Sequence, residues 1–172
     1  MLRAAVRGAL VVAAVVLAGC DTPRDHYGYY DRPPSRDEAR PVKPGHDTER
    51  QIERAMDRYS SMLATMDADG IAEMYTPDGV FERASGPPLR GRDAIRSFLS
   101  APAGNVRVMS NRMTTISLSY EGEQVVQNGE FEQSTRVNGK AVNARGRFQA
   151  TWVRGPRGTW YISRMVTRPA RN

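Results

Sequence analysis

The sequence predicts an α+β domain, with helical pieces first and an antiparallel meander after them, carried behind an export leader and a polar tether. Three observations predict it. Apolar residues recur at helical spacing from Ile52 to Met66, and they alternate at strand spacing from Val142 to Trp152. Between two strand-like runs stands Asn138-Gly139, the strongest short signal for a hairpin turn.

The chain opens with Arg3 and Arg7 ahead of an unbroken small-apolar run from Gly8 to Gly19. A charged start and an apolar run of that length describe a signal peptide over residues 1–19. A spanning helix needs about 20 apolar residues, and this run is shorter. It closes on Leu17-Ala18-Gly19-Cys20, which resembles the bacterial lipobox, so Cys20 is the expected lipidation site. Cys20 is also the only cysteine, which leaves no internal disulfide to hold the exported part together. The expected address is therefore a bacterial cell-envelope membrane, with the domain on the periplasmic side.

Residues 20–46 carry five prolines, five basic and five acidic side chains and few aliphatic ones. Such a stretch buries too little apolar surface to offset the entropy of ordering it, and its prolines favour an extended spacer. Tyr27, Tyr29 and Tyr30 are its one aromatic cluster. His26 and His46 are the only histidines and both fall on this tether, so a histidine-based zinc site or a Ser-His-Asp triad is not expected in the domain.

The domain is expected over residues 47–172. Thr48 and Gln51 have the spacing of a capping box, after which Ile52, Met56, Tyr59, Leu63 and Met66 form one apolar helical face. A break at Asp67–Gly70 leads into a short helix, Ile71–Tyr75, stopped by Thr76-Pro77. Asp78-Gly79 reads as a turn before a brief strand at Val80-Phe81, and Ser85–Gly91 as a loop before a third helix, Arg92–Ser100. Strands follow at Val106–Tyr120, Gln124–Val137, Lys140–Arg154 and Thr159–Arg168, with turns at Glu121-Gly122, Asn138-Gly139 and Gly155–Gly158. Helices followed by long strands make an α+β domain whose sheet curls round the helices and encloses a pocket.

The order of D-A-D-G-I-A-E-M-Y-T-P-D-G-V-F, P-L-R-G-R-D-A-I-R-S-F and the closing G-T-W-Y-I resembles the nuclear-transport-factor-2-like superfamily over residues 47–168. The similarity is nearest to its SnoaL-like and ketosteroid-isomerase-like bacterial domains. The resemblance implies a cone-shaped, curved antiparallel sheet packed on three helices around an apolar cavity, with dimers made through the open sheet. Ketosteroid isomerase chemistry uses a carboxylate base, with a tyrosine and a protonated carboxylic acid as oxyanion donors. By position Tyr59 matches the donor tyrosine. The base position falls on Arg83 and the acid position near Gly146, while Glu82 should point to the opposite face. Arginine keeps its charge and makes a poor base, so that reaction is not expected.

The pocket is expected to draw on Tyr59, Met62, Tyr75, Phe81, Arg83, Phe98, Met113, Phe131 and Phe148. No cofactor motif, glycine-rich phosphate loop or metal-ligand cluster is present in the sequence, so none is expected. Removing Arg3 and Arg7 with the leader leaves 23 basic against 19 acidic residues, an excess that falls on the domain because the tether is neutral. With an exported address and no recognition motif, nucleic acid is not an expected partner. Anionic lipid headgroups are compatible with such a surface. The leading expectation is a membrane-anchored, non-catalytic domain that binds a small apolar or amphipathic ligand or a protein. One alternative is an isomerase, cyclase or hydrolase using Tyr59 with Glu82, Glu130 or Glu132. Another is a scaffold that homodimerises through its sheet.

Overall fold

The computed structural model describes residues 45–101 and 106–170. Cys20, the leader, the tyrosine cluster and His26 lie outside the described residues. Helix α1 (His46–Thr65) begins two residues ahead of the anticipated cap: Gly45 is the N-cap and no side chain caps it. Thr48 therefore sits inside the first turn and the capping box does not form. Gln51 instead accepts a hydrogen bond from the Trp160 indole at 2.9 Å, tying the helix to the last strand. His46 belongs to this helix, where its exposed ring lies 3.5 Å from Glu49. Ile52, Met56 and Tyr59 are buried as their spacing requires. The helix ends where Met66 turns left-handed (φ 58°) and returns its N–H to Leu63.

Helix α2 (Ala68–Glu73) starts earlier than expected, because the Asp67 carboxylate accepts from the Gly70 N–H at 2.9 Å and caps it. Tyr75 does not belong to that helix. It opens strand β1 (Tyr75–Glu82), which runs straight through the supposed Asp78-Gly79 turn. The strand pairs in parallel with the last strand, and its register jumps from Tyr75↔Ile162 to Val80↔Arg164. That bulge accommodates Pro77, whose missing N–H would break a regular ladder. A two-residue strand β2 (Leu89–Arg90), not anticipated, pairs with β1 inside the proline loop. Helix α3 (Arg92–Ser100) follows and buries Ile95 and Leu99.

Strands β3 (Val106–Glu121), β4 (Gln124–Val137), β5 (Lys140–Arg154) and β6 (Trp160–Pro169) form the antiparallel meander. The sheet order is β2-β1-β6-β5-β4-β3, so β2 and β3 are its edges and it does not close. Two register shifts in β3, at Met109 and Ile116, push those side chains outward. Such bulges also bend a strand and increase its twist. Helices α1 to α3 cover the inner face, and the core joins Ile52, Met56, Ile71 and Ile95 to Val125, Phe148, Trp152, Ile162 and Met165. No described helix is long and apolar enough to cross a membrane.

Two glycines on β4 and β5 face aromatic rings across the ladder. Gly129 pairs with Phe148 and Gly146 with Phe131. A Cβ at Gly129 would lie 2.4 Å from the Phe148 ring, and one at Gly146 would lie 2.2 Å from the Arg168 carbonyl and 2.8 Å from the Phe131 ring. Each ring occupies the space its glycine leaves.

Candidate functional site

A cavity of about 50 Å³ opens between the helices and one end of the sheet. Alternation builds it: Phe81 with Arg83, Asn111 with Met113, Phe131 with Gln133 and Met165 with Thr167 are four pairs spaced by two, each pair on one face of its strand. Tyr59 and Leu63 from α1 and Leu99 from α3 complete the lining. The walls are chiefly apolar, and the volume admits a few waters or the end of a small molecule rather than a whole drug-sized ligand.

Of the residues expected there, Tyr59, Phe81, Arg83, Met113 and Phe131 line the cavity. The other four do not. Tyr75 is fully buried behind Tyr59, Met62 packs beside Gly70, Phe98 lies beneath the Arg83 guanidinium, and the Phe148 ring fills the space over Gly129. Leu63, Leu99, Asn111, Gln133, Met165 and Thr167 complete the lining without having been expected there. Their signal was in the alternation, since each strand-borne one stands two residues from a lining partner.

The polar groups divide into satisfied and unsatisfied ones. Tyr59 and Tyr75 share a hydrogen bond at 3.1 Å between their hydroxyls. Burial pushes the Tyr59 phenol up to about 12 and holds that of Tyr75 well above its ordinary range, so both stay protonated and neutral. Ser60 Oγ donates to the Asn111 carbonyl at 3.1 Å and accepts from the Asn111 amide at 2.9 Å, which pins α1 to β3 beside the cavity. Arg83 spends one Nη on the Pro87 carbonyl at 3.0 Å and stacks over Phe98 with 4.1 Å between guanidinium carbon and ring centre. Its partial burial lowers its pKa, but a guanidinium stays charged. Two buried donors of the lining have no partner: Arg83 Nε and Gln133 Nε2. The hydroxyls of Thr76, Tyr120 and Thr135 are also unpartnered, but they lie outside the lining.

No carboxylate lines the cavity among the described residues. Glu82 turns to the outer face, 2.8 Å from Arg164 and 3.7 Å from Arg168. Glu130 is exposed and approaches Arg147 at 3.9 Å, while Glu132 is exposed between Arg112 and Arg145 in the ladder. The acid position at Gly146 has no room for a side chain, because the Phe131 ring and the Arg168 carbonyl close on it. The described residues include no cluster of three or more metal-type ligands.

A family model described as a SnoaL-like domain matches residues 56–157. Among solved structures, the chain is similar to a Mycobacterium tuberculosis protein of unknown function, at 24% identity and TM-score 0.65, over 73% of this chain and 78% of that one. It is similar to a ketosteroid isomerase-like protein from Erwinia carotovora at 17% identity and TM-score 0.66, over 74% and 100%. An NTF2-like protein with a cystatin-like fold from Novosphingobium aromaticivorans matches at 18% identity and TM-score 0.60, over 70% and 80%. No curated protein matches the sequence.

Proposed function

We propose that this chain, which belongs to the SnoaL-like domain family, is a binding domain that takes the acidic end of a small amphipathic molecule. The observation that carries this reading is the pair of buried, unpartnered donors, Arg83 Nε and Gln133 Nε2, on the wall of an apolar cavity that holds no carboxylate of its own. A buried donor without an acceptor costs about 1–3 kcal/mol, and two of them in one cavity lining support an acceptor from outside the chain. A carboxylate is the chemistry that suits them. Its oxygens accept from a guanidinium in a charge-assisted bond, and the amide and the neutral Tyr59 hydroxyl are further donors. Leu63, Leu99, Met113 and Met165 suit a short hydrocarbon chain beside it, and the remainder of the ligand would extend past Arg83. Catalysis is disfavoured because Glu82, Glu130 and Glu132 all lie away from this wall. Fold alone assigns no reaction.

Titrating the full chain with butyrate, hexanoate and octanoate, and with the matching alcohols, tests the reading. The acids should bind at least tenfold more tightly, and Arg83→Leu should erase that preference. Equal binding of acids and alcohols, or an Arg83→Leu protein that still prefers acids, would exclude it.

The proposal extends to location. The domain would be held at a bacterial envelope membrane through lipid on Cys20, behind a tether that ends where Gly45 caps α1. Labelled palmitate should enter the wild-type protein in cells and be absent from Cys20→Ala.

A further inference from the structure

The outer face of the sheet, opposite the cavity, has a different chemistry. Across the ladder, arginine stands directly opposite arginine at Arg107↔Arg136 and again at Arg147↔Arg168. Like charges in that position repel and destabilise a sheet. Neutralisation from within is partial: Glu130 comes no nearer than 3.9 Å to Arg147, and Arg168 shares Glu82 with Arg164. Beside Arg147 and Arg168 the same face carries a hollow of about 430 Å³, with Ile116 and Val166 as its apolar side chains and Asn128 and Gln149 beside them. Apolar side chains also project here. The bulges of β3 leave Ile116 62% and Met109 50% exposed, the two large hydrophobic residues most at odds with water among the described residues.

We infer that this face docks on an anionic lipid headgroup layer. Arginine forks suit phosphate oxygens, and paired arginines that repel one another in the isolated domain are relieved by phosphates lying between them. The protruding Ile116 and Met109 decide against a purely polyanionic partner such as nucleic acid. Apolar side chains set among basic ones are accepted at the boundary between headgroups and acyl chains, where the burial of both kinds contributes. The inference does not depend on the cavity or on lipid at Cys20. An anchor there would only raise the local concentration of the surface the face meets.

Sedimentation of the full chain with vesicles tests it, comparing phosphatidylcholine alone with an equal mixture of phosphatidylcholine and phosphatidylglycerol. The leader is common to every sample, so the difference between vesicles and between variants reads the sheet face. The wild type should favour the anionic vesicles and be released by salt. Arg147→Gln with Arg168→Gln should weaken that binding about tenfold or more, at a thermal midpoint no lower than that of the wild type. Arg107→Gln with Arg136→Gln supplies a second pair should the first unfold the sheet. Equal retention on both vesicles, or retention that neither folded pair of variants alters, overturns the inference. So does a stable dimer that buries this face and excludes vesicles, or a preference for duplex DNA over anionic vesicles.

Discussion

Two glutamines six residues apart on β4, both buried on the inner face of one sheet, live in opposite circumstances. Gln127 is satisfied at both ends: its carbonyl accepts from the Trp152 indole at 2.9 Å and its amide donates to Thr115 at 2.7 Å. The amide nitrogen of Gln133, equally cut off from water, has no partner. The same side chain is therefore satisfied at one position of the strand and left with a free donor at the other. Where the fold needs only itself, every buried polar atom of the Gln127 chain is paired. Where Arg83 and Gln133 line the cavity, the pairing stops short. On the reading proposed above, the unpaired donors of the cavity wall are the ones a ligand would meet.

The contrast can be attacked first at its satisfied position. Trp152→Ala removes a fully buried indole and strands the Gln127 carbonyl, and should lower stability by about 3–5 kcal/mol in urea unfolding. Alkali probes the cavity end, through Tyr59 in its lining. Its folded pKa of about 12 lies above the ordinary value, so the folded state keeps its proton while the unfolded chain loses it. Stability is then fully present below about pH 10 and falls as pH rises towards 12, by about 2–3 kcal/mol for this group alone. Tyr59→Phe should flatten that decline when unfolding is followed against pH.

Smaller effects sharpen the comparison. Gly146→Ala should cost about 1–3 kcal/mol in thermal or urea unfolding, since the added methyl meets backbone as well as the Phe131 ring. Last come the glutamines themselves. Gln127→Leu should destabilise, because it strands the Trp152 N–H. Gln133→Leu should change stability by less than about 1 kcal/mol, or raise it, by removing an unpaired donor. Equal losses at the two positions in urea unfolding would erase the distinction between the ends.

Much of this architecture was legible in the sequence because local and tertiary preferences agree. Helix α3, both ends of β4 and β5, and the apolar face of α1 follow directly from periodicity and turn residues. The expectation failed where long-range pairing overrode local signals. Pro77 and Asp78-Gly79 read as a stop and a turn, yet parallel pairing with β6 draws them into β1 as a bulge. Strand β2 is too short to carry any period. Thr48 and Gln51 matched a capping pattern, but the helix starts upstream and Gln51 serves Trp160 instead.

The cavity was legible in part for a related reason. Tyr59, Phe81, Arg83, Met113 and Phe131 were traceable from pattern and resemblance. Asn111, Gln133 and Thr167 are polar side chains at inward positions, and a search for apolar walls passes over them. Tyr75, Phe98 and Phe148 have the expected chemistry but sit one layer behind the wall, a depth that alternation cannot supply.

The reciprocal arrangement of Gly129 with Phe148 and Gly146 with Phe131 has a consequence for assembly of the chain. Sliding β4 against β5 by two residues keeps every side chain on its own face, so hydrophobic pattern alone does not penalise the error. Here it is penalised in either direction. One slip brings Gly129 opposite Gly146 and opens a void, and the other drives Phe131 into Phe148. The two small residues thus act as a proofreading device, admitting a single alignment of this hairpin and delivering Gln133, rather than its neighbours, to the cavity wall.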